Sequence, residues 1–184
     1  MKNLILVALI LLLGITPTES SGEFQFGDII AFERTFELET IVYKHYAFYV
    51  GPSTEIDVGQ GDNDIIHLTG KTCMVSEIAF GKIEKVKGTS TVLKDNYLDE
   101  VEGFKIQNNK ATEDLMIQRI KDTIKQRSMY RPFKNNCELY VTRLRYGKPS
   151  FEQHGTLVEP FLKKKEAATK ALKTVAKYIV TKLG

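Results

Sequence analysis

The chain has 184 residues, 42% of them hydrophobic, which is enough to bury one sizeable core and points to one domain. Its net charge of +3 is unevenly spread: residues 161–184 hold seven lysines against Glu166, a local charge of +6, and the remainder sums to −3. A basic tail on a mildly acidic body fits a membrane surface; with no zinc-finger spacing, RNA-binding aromatic signature or broad basic face, nucleic acid is excluded as a partner.

The N-terminus has Lys2, an unbroken apolar run from Leu4 to Leu13, and small residues at Thr18 and Ser20. This is the layout of a secretory signal peptide over residues 1–20, with an apolar stretch too short to span a bilayer; an uncleaved N-terminal anchor is the alternative. Either reading sends the chain into the secretory pathway, membrane-associated at the endoplasmic reticulum or secreted.

Next come three aromatic and aliphatic runs, GDIIAFERTF (27–36), HYAFYV (45–50) and DIIHL (64–68), which read as strands. Gly51-Pro52 ends the second, and the polar STEIDVGQGD before Asn63 reads as an exposed loop. MVSEIAFGKIEKV (74–86) is compatible with further strand, whereas residues 89–109 show no regular period. Thr112 as a cap, Glu113 and Asp114 at the positive helix end, and Met116, Ile117, Ile120 and Ile124 at helical spacing predict an amphipathic helix. Pro132 interrupts it. A second helix then starts at Asn136, turns Val141 and Leu144 inward, and stops at Gly147-Lys148-Pro149.

In the tail, Phe161, Leu162, Ala168, Leu172, Val175, Ala176, Ile179 and Leu183 recur near helical spacing, with Lys163, Lys170, Lys173 and Lys177 on the other side. Residues 157–184 therefore read as a basic amphipathic helix, too charged to cross a bilayer. It suits the lipid interface, or else packs its apolar stripe on the domain.

KNNCELYVTRLRYG (134–147) raises the chemical question. With Asn136 as N-cap, Cys137 takes the first helical position, where free N–H groups and the helix dipole favour a thiolate; this predicts a pKa below the ~8.5 of a free thiol. A cysteine nucleophile also needs a base, and the chain has three histidines, His45, His67 and His154. His45 opens one apolar strand and His67 lies inside another. Each alone reads as a satisfied core or edge residue, but two of them beside a helix-capped cysteine read as a candidate catalytic set. Cys73 offers Cys137 a disulfide partner in an oxidising compartment. A zinc site built from Cys73, Cys137, His45 and His67 lacks any closely spaced ligand pair.

Taken in order, GDIIAFERTF, HYAFYVG, IIHL and NNCELYVTRLRYG resemble the blocks of the lecithin:retinol acyltransferase family, which includes the phospholipase A/acyltransferases once called H-Ras-like tumour suppressors. The resemblance covers residues 26–150 in scattered blocks. That family is similar to the NlpC-type peptidases, whose papain-like core is permuted so that histidine precedes cysteine, as His45 precedes Cys137 here. The resemblance implies an α+β fold, a small antiparallel sheet packed against helices, with a catalytic domain over residues 24–150. It also implies Cys137 as nucleophile, His45 as general base and His67 as the polar group orienting the base. Three departures stand out: Leu139 where the family commonly has histidine, Tyr46 where tryptophan is frequent, and a longer loop between His45 and His67. The activity implied is thiol-dependent cleavage of phospholipid acyl esters through an acyl-thioester, with transfer to water, an amine or an alcohol such as retinol, and no cofactor or metal. A cysteine peptidase or amidase with the same three residues, or a non-catalytic membrane-binding module, is the alternative.

Overall fold

A computed structural model describes residues 24–36, 40–70, 75–124, 127–129, 135–165, 167 and 169. The segment read as a signal peptide, Cys73 and the disulfide considered for it, Pro132 and the tail beyond residue 169 lie outside the described residues. Six strands, β1 (Ile29–Phe36), β2 (Thr40–Tyr49), β3 (Ile65–Gly70), β4 (Val75–Gly81), β5 (Thr91–Lys94) and β6 (Arg127–Met129), form one sheet in the order β5-β1-β2-β3-β4-β6. Every pairing is antiparallel, and among the described residues the sheet is accompanied by α1 (Ile83–Lys87), α2 (Lys110–Thr123) and α3 (Cys137–Tyr146), with a further helical run over residues 159–165. The fold is α+β, as the sequence predicts.

Side chains alternate across each strand, so the sheet has two apolar faces. The inner face, with Ile29, Ala31, Tyr46, Phe48, Ile66, Leu68 and Ile78, packs on α3 and α2 through Met116, Ile120, Val141 and Leu144. The outer face gathers Ile30, Phe32, Ala47, Tyr49 and Ile65 under Phe24, Ile83 and Val86.

Four boundaries differ from expectation. β2 starts at Thr40, so His45 lies inside the strand and does not open it. The strand predicted to run to Val86 stops at Gly81, and KIEKV turns into α1, because Asp64 Oδ1 accepts from Ile83 N at 2.8 Å and satisfies a first-turn amide. The cap of α2 is Asn109, three residues before Thr112, and it is the Thr112 amide that donates to the Asn109 side chain. The irregular 89–109 stretch contains β5, whose alternation is blurred by mixed exposure at a sheet edge. The loop after Gly51-Pro52 is exposed at its tip but carries an internal plug: buried Gln60 donates to the carbonyls of Gly51 and Ile56 and accepts from Val58 N.

At α3 the predicted punctuation holds. The Asn136 side chain accepts from Leu139 N at 2.9 Å, Val141 and Leu144 are buried, and Gly147 closes the helix at φ +72° with its N–H on Arg143 O. Among the described residues no helix is long and apolar enough to cross a membrane.

Candidate active site

The β2–β3 pairing brings the two strand histidines together. His67 pairs with Ala47, which makes His45 its diagonal neighbour on the outer face, within reach of a long side chain. His45 Nε2 lies 2.9 Å from His67 Nδ1, the rings edge to face at 5.2 Å. One of those nitrogens must donate and the other accept. If His45 is to take a proton on Nδ1, its own proton sits on Nε2 and points at the lone pair of His67 Nδ1, and His67 then carries its proton on Nε2. The ring of His67 is seated against Gly81, where an added Cβ would meet Nε2 at 3.2 Å.

Both imidazoles are held neutral. Burial, then its histidine neighbour and Arg34, push His45 down to about 3, and burial with Arg34 pushes His67 down to about 4. Arg34 sits on the same face and is fixed there: it donates to Lys87 O at 3.0 Å, Val86 O at 2.8 Å and Ser90 Oγ at 2.8 Å, a cation at the C-terminal end of α1.

Cys137 comes from the other side of the sheet. It belongs to the inner-face core and is a free, buried thiol whose sulfur is hydrogen-bonded by the backbone of Tyr46, the residue after His45. The sheet has room for this contact because β2 pairs with β3 only through Ala47–Tyr49, while β3 runs on to Gly70 against β4. Before Ala47 in β2 the two strands are no longer paired, and there the Tyr46 backbone meets Cys137 at the start of α3. The expectation of a depressed thiol pKa is corrected: burial pushes Cys137 up to about 11, and the Glu138 carboxylate adds to that, against the opposing amides of Tyr46, Glu138 and Cys137 itself. The helix terminus has the predicted sign, but loss of water around sulfur outweighs it.

Glu138 is fully buried, and burial raises its pKa against donors that hold the charged form. These are Tyr97 Oη at 2.7 Å, Glu152 N at 2.8 Å, Gln153 N at 3.2 Å and Gln153 Nε2 at 2.8 Å. His154 stands apart from the histidine pair, between Glu152 (2.6 Å) and Glu159 (3.2 Å). Among the described residues no three His, Cys, Asp or Glu side chains gather as a metal site requires.

Sequence reasoning pointed to Cys137, His45 and His67 but missed Arg34, Gly81, Glu138 and Gln153 as their surroundings. Glu138 was within reach, since an acid directly after a helix-start cysteine belongs to the quoted motif. Gln153 has no local signal.

Residues 22–150 match the lecithin retinol acyltransferase family. The chain is 30% identical over 144 residues to phospholipase A and acyltransferase 5 of Rattus norvegicus, covering 73% of this chain and 43%, less than half, of that relative. It is 32% identical over 139 residues to phospholipase A and acyltransferase 3 of Mus musculus, covering 69% of this chain and 74% of the relative. To phospholipase A and acyltransferase 4 of Homo sapiens it is 25% identical over 134 residues, 69% of this chain and 73% of the relative. The matched span contains both strand histidines and the helix-start cysteine, and on that span the chain belongs to the lecithin retinol acyltransferase family.

Proposed function

We propose that this protein is a thiol-dependent lipid acyltransferase and phospholipase A, with Cys137 as nucleophile, His45 as general base and His67 as the residue that orients it. One observation carries the reading: His45, bonded to His67 of β3 at 2.9 Å, is on the strand whose next amide holds the Cys137 sulfur. The names of the relatives support a phospholipid ester as substrate.

At rest the pair is thiol and neutral imidazole, since burial favours the uncharged form of each. As Sγ closes on the ester carbonyl, its proton passes to His45 Nδ1, and the His67 bond holds the imidazolium in place. Charge then develops on the carbonyl oxygen, where the amides of Cys137, Glu138 and Tyr46 near sulfur are the available donors. The S–C bond forms, the ester C–O bond breaks, and the leaving alkoxide takes the proton from His45 to give a lysophospholipid. Water, an amine or an alcohol next yields its proton to His45 and attacks the thioester carbon, and the released thiolate is reprotonated.

Residues 157–184 are proposed as the interfacial element, and the secretory route with membrane association at the endoplasmic reticulum as the location. Supporting this, Phe161 and Leu157 are exposed at the start of the terminal helical segment, next to Lys163, Lys164 and Lys165.

The test incubates the full chain with phosphatidylcholine labelled in its acyl chains. A labelled, hydroxylamine-sensitive acyl-enzyme is expected from the parent and none from Cys137→Ser, because a serine hydroxyl is far harder to ionise. Equal labelling of the two proteins eliminates the nucleophile, and amide cleavage without lipid labelling replaces the acyltransferase with an amidase. Deleting residues 161–184 is expected to spare a soluble short-chain ester and depress turnover on anionic vesicles, an effect that high salt reproduces.

A further inference from the structure

The catalytic assignment gives no role to Gln153, a buried polar residue. Gln153 is only 4% exposed, although it lies in a polar stretch past the end of α3, and it is the sole non-glycine residue with a positive φ among those described, at +50°. An L side chain enters that region only when its surroundings require it, so something holds this residue in place. Its side chain pairs with the backbone of Lys44 as a neighbouring strand would: Oε1 accepts from Lys44 N at 2.9 Å and Nε2 donates to Lys44 O at 3.1 Å. This happens in the gap that β3 leaves, beside the Tyr46 amide that contacts sulfur.

The second hydrogen of Nε2 goes to Glu138 Oε2 at 2.8 Å, and the Gln153 main-chain N–H donates to both oxygens of the same carboxylate at 3.2 Å. Lys44 immediately precedes His45, and Glu138 immediately follows Cys137. One amide therefore bridges the flank of the base and the flank of the nucleophile, across two elements that share no ladder at that point. Only one amide orientation satisfies all partners, because Lys44 N–H requires an acceptor and the Glu138 carboxylate a donor.

We propose that Gln153 is a positioning residue for acyl transfer, fixing the His45 strand against the Cys137 helix through Lys44 and the Glu138 carboxylate. The proposal rests on Cys137 and His45 acting as nucleophile and base. A shift of about 1 Å between reacting groups costs on the order of 10²-fold in rate.

The test compares the full-length parent with Gln153→Met, which fills the space without hydrogen bonds, and Gln153→Asn, which tolerates the backbone angle but falls one methylene short of bridging. Turnover of a soluble short-chain ester is measured per active site titrated as acyl-enzyme. The expected result is kcat lower by about 10²-fold in both variants, with KM within about threefold, since the substrate-binding surface is untouched. Parental kcat in either folded variant overturns the proposal. So does a loss that disappears once active sites are titrated, or failure of both variants to fold, because either outcome makes Gln153 a folding residue only. Cys137→Ser is measured alongside: if it stays active, the catalytic assignment and this proposal fall together, whereas an inactive Cys137→Ser beside fully active Gln153 variants overturns the positioning role alone.

Discussion

The inner face of the sheet buries Phe48, Ile66, Leu68 and Ile78 beneath helices of 14 and 10 residues, whereas the outer face lies under a five-residue helix that buries none of its own side chains. The histidine pair sits on the thinly covered face, and the cysteine is rooted in the thickly covered one. A deep core backs the helix that begins at Cys137. The thin cover is enough to strip water from two imidazoles while keeping them close to the surface. On the proposed mechanism, stability and chemistry are thus drawn from opposite sides of one sheet, joined where β2 parts from β3 and the Tyr46 backbone reaches the Cys137 sulfur.

Substitutions on the two faces are expected to separate activity from stability. The largest effect is expected from His45→Ala, a loss of roughly 10²–10⁴-fold in turnover with the fold retained, since proton transfer is worth that much. His67→Ala is expected to cost less, because the base survives without its orienting partner. Equal losses, or an active His45→Ala, would break the division of labour. On the inner face, Ile120→Ala should lower unfolding free energy by about 2–5 kcal/mol while turnover per folded molecule stays constant, read from denaturant midpoints beside kinetics.

The pH profile sharpens the contrast. With His45 at about 3 and His67 at about 4, acylation should hold level from pH 8 to about 5 and fall only as pH approaches 4. An acid limb centred near the ordinary 6.5 would show that the pair is not dehydrated. The same shifts bear on stability. A histidine depressed in the folded state supports folding fully above its unfolded value, and that support is lost as pH drops from about 6.5 through the folded values. Thermal midpoints should therefore decline across that window, and less steeply in a His45→Gln/His67→Gln double variant.

The smallest effect is expected at Gly81. Its alanine variant places a methyl 3.2 Å from His67 Nε2, a distance met by a few tenths of an ångström of ring movement. A several-fold drop in turnover with an unchanged thermal midpoint is expected, and full activity would show that the His67 seat is loose.

Much of this was legible in the sequence because it is local. The runs IIAFERTF and IIHL alternate over a two-faced sheet, and Asn136 and Gly147 punctuate α3 with side-chain and backbone chemistry that any helix end demands. What was illegible is tertiary. α1 exists because Asp64, 19 residues earlier, reaches Ile83 N. The Cys137 thiol is raised instead of lowered because the strand it packs on removes water, which no motif around residue 137 encodes. Gln153 pairs with Lys44 across 109 residues of sequence, and a lone glutamine in a polar segment carries no period or spacing to betray it.

The extended loop between the two histidines has a further consequence. Its ends are tied before it leaves the sheet, with Val50 N and Gly51 N both donating to Asp64 O at 2.8 and 3.1 Å, and Gln60 stitches its far limb to Gly51. Chain added at the exposed tip, Ser53–Glu55, is therefore insulated from the register that aligns His67 with Ala47. Closure entropy makes such additions inexpensive, about 0.6 kcal/mol for each doubling of loop length. That tip is a natural graft point for a fluorophore or epitope, a place to tag the protein close to its chemistry while leaving the chemistry alone.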